Sequence, residues 1–198
     1  MEATRRTNDI LPQLMLRIYE GIDERLLNKA IKVIEEGNTF PMLYNDDVNI
    51  PAVMKSFDVP TADAIDYAPY GCGEYTIQNK SYETPSGVIN LLKSLEITLN
   101  RGVDKVSGKQ IGLDLGEVQD FRTYNDLWNA YKKQTEYFID QLALQEELEY
   151  KIAAENAPFL FLSMLFDECL ERGKGIFGGG IKYLGGTLET YGNTNTAD

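Results

Sequence analysis

The chain has 198 residues, of which 43% are hydrophobic and 25% charged, a composition typical of one globular domain with a sizeable core. Its net charge of −12, from 31 acidic and 19 basic residues, argues against nucleic acid and anionic membranes as partners. Histidine is absent, which excludes Ser-His and Cys-His catalysis and most zinc sites and leaves acid–base work to carboxylates, Tyr, Lys or Cys.

The cellular compartment is inferred from the termini and the cysteines. The first residues lack the apolar core of a signal peptide, and the longest apolar run, APFLFLSMLF, is far too short for a membrane helix. Two cysteines, Cys72 and Cys169, do not make a disulfide framework. We therefore expect a cytoplasmic protein that does not associate with membranes.

The first quarter of the chain alternates strand and helix patterns. Residues 13–19 (QLMLRIY) predict a short buried strand. Asp23 is the expected N-cap of an amphipathic helix that Gly37 ends, and residues 40–46 (FPMLYND) predict a second strand. This order favours parallel strands with covering helices.

Two short helices are predicted next. They cover residues 49–57 (NIPAVMKSF) and residues 61–67 (TADAIDY). Thr61 is the expected N-cap of the second helix, with Asp63 and Asp66 on its outer face.

The middle of the chain is rich in loops. Residues 66–78 (DYAPYGCGEYTIQ) are predicted as a loop because glycines and a proline interrupt them. A helix is expected to begin at Ser86 or Gly87 and to end near Asn100. Residues 101–120 contain four glycines and predict a surface loop.

The last third begins with the longest predicted helix. Thr123 is its expected N-cap, and the apolar pattern continues to about Asn156. Residues 157–173 predict a further helix that is apolar nearly all round and therefore buried, with Cys169 serving only to pack it. The glycine-rich residues 175–198 contain one plausible strand.

The candidate site is Cys72, which stands between Gly71 and Gly73. The structural interpretation is a small buried residue in a turn. The functional one is a loop tip that projects the sulfur into a cavity, because glycine allows the backbone to fold sharply. Glu74 would share that cavity if the loop is extended. No basic residue is near enough in sequence to activate a thiolate, since the closest, Lys80, belongs to the following segment. Radical chemistry instead removes a hydrogen atom and needs no base.

Two other candidate sites are weaker. The stretch IFGGGIKYLGG could bind a phosphate through backbone amides, but it matches neither the P-loop nor the dinucleotide-binding pattern. A hard metal could be held by five carboxylates, although their spacing matches no calcium loop: Asp46, Asp47, Asp63, Asp66 and Glu74. We therefore expect no metal site and no bound cofactor.

Three segments resemble the glycyl radical enzymes, the superfamily that includes pyruvate formate-lyase. GCGE resembles the family's G-C-x-E motif, residues 40–74 resemble its strand, helices and cysteine loop, and residues 161–198 resemble a later segment. The resemblance covers essentially the whole chain. It implies an α/β fold, a helix-rich partial β/α barrel comprising about half of the family's ten-stranded barrel, with a cysteine loop.

The resemblance also implies roles for two residues. Cys72 matches the cysteine that becomes a thiyl radical, and Glu74 matches the general acid or base. Gly73 stands where pyruvate formate-lyase has a second cysteine, so the chain is more similar to the G-C-x-E dehydratases, lyases and decarboxylases than to a true formate acetyltransferase. The implied reaction is cleavage of a C–C or C–X bond in anaerobic metabolism.

The resemblance further implies partners. No R-V-x-G-Y-like radical loop occurs in residues 1–198, so we expect one partial domain, a central fragment that lacks the C-terminal glycine radical domain and is inactive alone. The radical would be installed by a radical SAM activating enzyme, and the full-length form would be a homo-oligomer acting on a small-molecule substrate. The alternative is a non-catalytic remnant or a partner-dependent interaction subunit.

Overall fold

The computed structural model describes residues 1–7, 9, 12–71 and 73–197, and for residues 83–86 the backbone alone. In chain order its elements are α1 Glu2–Thr7, β1 Met15–Ile18, α2 Glu24–Glu35, β2 Met42–Asn45, α3 Asp46–Phe57, α4 Thr61–Ile65, β3 Tyr67–Tyr70, β4 Glu74–Ile77, β5 Ser81–Asn90, α5 Leu91–Leu99, α6 Tyr124–Asn156, α7 Leu160–Ser163, α8 Cys169–Arg172, β6 Tyr183–Tyr191 and α9 Asn193–Ala197. The α/β class is thereby confirmed.

The chain divides into two compact units, Met1–Tyr82 and Glu83–Asp198. Within the described residues the strands form three two-stranded sheets, β1–β2, β3–β4 and β5–β6. The half-barrel and the single partial domain stay predictions. None of the described helices is both long enough and apolar enough to span a membrane.

The first sheet of unit 1 is parallel, as the sequence predicts. Strand β1 pairs with β2 from Met15 opposite Met42 to Ile18 opposite Asn45. The helix between them begins after Asp23, whose carboxylate accepts a hydrogen bond from the Arg25 amide at 2.8 Å.

The helix predicted over residues 49–57 begins earlier, at Asp46. The reason is the side chain of Asn45, whose Oδ1 accepts a hydrogen bond from the Asp47 amide at 3.0 Å and caps the helix. Helix α3 therefore follows strand β2 without a loop. This junction fixes the direction in which Asp46 leaves the sheet.

Two predictions about helix α4 are wrong. Thr61 is its first residue and not its N-cap, and Pro60 precedes it with no side-chain cap bond. Asp63 is only 6% exposed and forms an ion pair with Lys80 at 2.7 Å, because a carboxylate turned inward needs a cationic partner. Asp66 is exposed, as predicted.

Most of the predicted loop at residues 66–78 is an antiparallel hairpin. Strands β3 and β4 pair from Tyr67 opposite Ile77 to Tyr70 opposite Glu74. Aromatic and β-branched residues favour strands, and this preference prevails over the neighbouring glycines and proline. The glycines are confined to the turn, while Cys72 lies outside the described residues.

Strand β5 covers Ser81–Asn90, so the predicted helix start at Ser86 or Gly87 is wrong. The strand continues to Asn90, since the β-branched Val88 and Ile89 favour it. The Asn90 side chain then accepts a hydrogen bond from the Lys93 amide at 3.0 Å and caps α5. Strand β5 pairs with β6, which confirms the strand predicted near the C-terminus.

The longest helix is confirmed. Thr123 and Asp126 form a capping box, in which Thr123 Oγ1 accepts from the Asp126 amide at 3.2 Å and Asp126 Oδ2 accepts from the Thr123 amide at 2.9 Å. Helix α6 packs along α5 through buried residues that include Ala130 and Gln134.

The single buried helix predicted over residues 157–173 is wrong. Two short helices, α7 and α8, replace it, and Leu160 and Phe161 are 69% and 74% exposed. Ser163 interrupts the helix because its Oγ donates to the Pro158 carbonyl and accepts from the Ile176 amide, both at 3.1 Å.

The capping box generates the first prediction. Replacing Thr123 by Ala removes the side-chain acceptor, and we expect the free energy of unfolding to fall by about 1 kcal/mol. Thr61→Ala is the matched control, since Thr61 makes no cap bond. Urea denaturation of both variants measures the difference, and equal losses would contradict the assignment.

Candidate active site

Glu74 is the first residue of β4 and lies under the hairpin turn. It is 6% exposed, and its Oε2 accepts a hydrogen bond from the Gly73 amide at 2.9 Å. A Cβ atom at Gly71 would lie 2.3 Å from the same oxygen, so the carboxylate rests directly against the turn backbone. Only glycine allows this approach.

The turn glycines also adopt backbone angles that other residues avoid. Gly71 has φ of +58° and Gly73 has φ of +145°. The inference that glycine allows a sharp turn here is therefore confirmed. Cys72 lies outside the described residues, so its place at a loop tip and its proximity to Glu74 stay predictions.

The two faces of the hairpin carry different groups. Side chains alternate along a strand, and residues opposite each other share a face. The register therefore puts Tyr67 and Tyr75 on one face and Glu74 on the other. The two tyrosine rings stack with centroids 4.2 Å apart and an interplanar angle of 12°.

Asp46 connects the parallel sheet to this hairpin. Its carboxylate accepts hydrogen bonds from Arg17 Nε at 2.9 Å and Nη2 at 2.8 Å, and from the Tyr67 hydroxyl at 2.5 Å. Arg17 also donates to the Tyr67 carbonyl at 3.0 Å, and its guanidinium lies 4.0 Å from the Tyr67 ring centroid. Three segments distant in sequence thus meet at one carboxylate.

The proximity of these groups shifts two pKa values. Burial alone would raise the pKa of Asp46, but the hydrogen bonds from Arg17 and Tyr67 outweigh it and hold the pKa below its ordinary value. Burial and the hydrogen bond to Asp46 raise the pKa of Tyr67 to about 12, against the opposing effect of Asn49. Asp46 is therefore ionised and Tyr67 neutral at physiological pH.

The hairpin is held from a second direction by α4. The Tyr75 hydroxyl donates to the Ala64 carbonyl, and the Asp63 carboxylate binds Lys80 just after β4. Asp46 and Asp63, two of the carboxylates considered for a metal, are thus bound to cationic side chains. Among the described residues, no three His, Cys, Asp or Glu side chains are grouped to hold a metal ion.

An open groove of about 640 Å³ adjoins the turn. Strand β2 and helix α3 form one wall, and Gly73 and Tyr75 belong to the other. Its described lining is apolar with amide groups from Asn45 and Asn49, and it includes no charged side chain. Its volume suits a small organic molecule.

The remaining sequence candidates have structural explanations. The glycine-rich stretch forms a 3-10 turn at Ile176–Gly178 and then β6, and a Cβ at Gly180 would lie 2.2 Å from the Lys174 carbonyl oxygen. Those glycines allow close backbone packing. Cys169 is 2% exposed, and burial raises the pKa of its thiol, so its packing role is confirmed.

Sequence reasoning missed Arg17 and the role of Asp46. Asn45 and Asp46 are both polar residues at a strand end, where bonding to backbone is the ordinary expectation. Only Asn45 bonds to backbone, whereas Asp46 accepts hydrogen bonds from the side chains of Arg17 and Tyr67. The one signal that could have indicated the pair is a cation one residue before the end of one strand and an acid directly after its parallel neighbour.

Known proteins share this fold and sequence. A profile described as pyruvate formate lyase-like matches residues 1–198. Trans-4-hydroxy-L-proline dehydratase of Clostridioides difficile is 31% identical over 174 residues, which cover 88% of this chain and 22% of that protein.

Solved structures agree with the sequence comparison. The glycerol-bound B12-independent glycerol dehydratase of Clostridium butyricum has a TM-score of 0.82 and 31% identity, over 96% of this chain and 24% of that one. A glycyl radical enzyme from Archaeoglobus fulgidus has a TM-score of 0.83 and 27% identity, with the same coverage, 96% and 24%.

The chain therefore belongs to the pyruvate formate lyase-like family of glycyl radical enzymes. It spans 22 to 24% of the length of these relatives. The family resemblance that the GCGE motif and its flanking segments indicate is confirmed.

The contact between Gly71 and Glu74 generates the second prediction. Gly71→Ala adds a methyl group that collides with the Glu74 carboxylate and also strains a positive φ. In a Glu74→Ala background only the strain remains. Urea denaturation of the four proteins in this cycle is expected to give a coupling energy of about 0.5–3 kcal/mol. Additive effects would show that the carboxylate does not occupy this position.

The third prediction concerns pH. Because the folded-state pKa of Tyr67 is raised to about 12, its contribution to stability is complete below about pH 10, where the unfolded phenol begins to ionise, and is lost as pH rises toward 12. Asp46→Asn removes the carboxylate and is expected to lower the pKa of Tyr67. Ultraviolet titration of each protein against its own Tyr67→Phe counterpart isolates this phenol, and identical midpoints would contradict the Asp46–Tyr67 bond.

Proposed function

We propose that the chain supplies the catalytic hairpin of a glycyl radical lyase of the dehydratase type, with Cys72 as thiyl radical and Glu74 as general acid and base. The observation that carries the proposal is the turn itself. Two positive-φ glycines flank the cysteine in sequence, and a buried carboxylate lies against their backbone, while Gly73 and Tyr75 line an open groove on the other face of the hairpin. Family membership and the two dehydratases among the relatives support the same reaction kind.

The radical chemistry would require a glycyl radical on another segment. Cys72 would lose the hydrogen atom of its S–H bond to that glycine, which would form a C–H bond and leave Cys72 as a thiyl. The Cys72 sulfur then takes a hydrogen atom from a substrate carbon, forming S–H and a carbon radical. Glu74 gives a proton to the hydroxyl on the adjacent carbon, which leaves as water, and the carboxylate regains a proton from the hydroxyl on the radical carbon. Return of a hydrogen atom from the thiol to carbon completes the product and restores the thiyl.

The structure of the turn supports separate roles for Cys72 in hydrogen-atom transfer and for Glu74 in proton transfer. A thiyl needs no neighbouring base, and the chain offers no histidine for one. The Glu74 carboxylate is shielded from bulk water, with one oxygen bound by the Gly73 amide, so it is held in a fixed orientation for proton transfer. The groove beside Gly73 would admit a small, uncharged or weakly polar part of the substrate.

The proposal includes partners outside residues 1–198. These are the remainder of the enzyme with the radical glycine, an activating enzyme of the radical SAM class, and a second copy of the assembled protein. The coverage of 22 to 24% of each relative's length supports a role as one part of a larger catalytic protein. In isolation this chain would carry no glycyl radical and would turn over no substrate.

A second function, as a partner-dependent interaction subunit, is favoured by one observation. Large apolar side chains are exposed around α7, where Phe159, Phe161 and Leu165 are 53%, 74% and 58% exposed. Such a subunit would require association through this segment but would not require Cys72.

The fourth prediction separates the two functions. In the activated full-length enzyme, Cys72→Ser is expected to abolish turnover while the glycyl radical signal in spin resonance remains, because a Ser O–H bond is too strong to give up hydrogen. Cys169→Ser is the matched control and is expected to keep turnover, since Cys169 only packs. Turnover by Cys72→Ser would exclude the proposed mechanism.

Glu74→Gln tests the acid–base role separately. The amide keeps the shape and can keep the bond from the Gly73 amide, but it cannot exchange a proton. We expect turnover to fall by about 10²–10⁴-fold with little change in unfolding midpoint. A large loss of stability with near-normal turnover would instead indicate a structural role.

A further inference from the structure

We propose that Asp46 is a positioning residue for the turn that bears Glu74, acting through Tyr67 and Tyr75; this inference rests on the proposed function. Its carboxylate does not touch the turn. It fixes one face of the hairpin so that the groups on the other face keep their orientation.

The connection is continuous and each step is a directional contact. Arg17 donates bidentate hydrogen bonds to both Asp46 oxygens, which restrict the orientation of the carboxylate more than a single bond would. Asp46 Oδ1 holds the Tyr67 hydroxyl at 2.5 Å, and the Tyr67 ring stacks on Tyr75 at 4.2 Å. Tyr75 directly follows Glu74 in the chain.

Asp46 is poorly placed for chemistry of its own. Both oxygens accept hydrogen bonds from Arg17 and Tyr67, and its side chain is only 13% exposed. The described residues that line the groove do not include it. Glu74 lies on the opposite face of the hairpin. The contribution of Asp46 must therefore be geometric.

The hairpin itself does not depend on Asp46 alone. Strand pairing, the bond from Tyr75 to the Ala64 carbonyl and the Asp63–Lys80 ion pair would remain without it. Loss of the Asp46 carboxylate is thus expected to loosen the turn and leave the fold intact. Misplacement of a catalytic group by about 1 Å can cost roughly 10²-fold in rate.

The test measures amide hydrogen exchange by NMR in the 198-residue protein. Asp46→Asn and Tyr67→Phe are each expected to speed exchange of the Gly73 amide by about tenfold or more, with the amides of α2 unchanged. The double variant is expected to match the larger single effect, because both act through one contact. Asp66→Asn, which removes an exposed neighbouring carboxylate, is expected to change nothing.

Two results would overturn the proposal. One is a Gly73 amide that exchanges at the wild-type rate in both variants. The other is equal acceleration in α2, which would show general destabilisation of unit 1. The activated full-length enzyme gives a second measurement, in which Asp46→Asn is expected to lower kcat about 10–100-fold with KM nearly unchanged. Hydrogen exchange is measured without radical or substrate and therefore tests the positioning role alone. Absence of turnover in the unmutated enzyme would instead contradict the proposed function, so the two failures are distinguishable.

Discussion

The ion pair between Arg17 and Asp46 is the constraint that orients the hairpin turn relative to the parallel sheet. A carboxylate removed from water requires donors, and here they come from a strand of the parallel sheet and from the Tyr67 hydroxyl of the hairpin. These hydrogen bonds join two sheets that share no strand at one carboxylate. The position of the turn follows, because the stacked Tyr75 adjoins Glu74 in the chain.

The turn holds the Glu74 carboxylate in a defined position. Gly71 has no side chain, and the space that a Cβ would fill is occupied by the Glu74 carboxylate. The Gly73 amide fixes one oxygen of that carboxylate, and the groove opens on the same segment. A buried acid held in a fixed orientation at the turn supports the proposed proton transfer.

Local signals in the sequence predicted much of this fold. Asp23 and Thr123 cap their helices as expected, because a cap is set by residues within one turn. The parallel pairing of β1 with β2 followed from the order of elements. The predictions failed where distant contacts decide: Asp63 turns inward to reach Lys80, and Ser163 bonds Ile176 and interrupts an apolar helix. The same limit explains why the glycines and Glu74 could be selected from the motif while Arg17 could not.

We propose that Cys72 and Glu74 share one site. A crystal structure of the full-length enzyme that shows the Cys72 sulfur is the most direct test. We expect the sulfur to lie at the turn between Gly71 and Gly73, with the Glu74 carboxylate in reach of it or of a bound substrate, directly or through one water. A Cys72 sulfur packed in an apolar core, out of reach of the Glu74 carboxylate, would contradict this expectation.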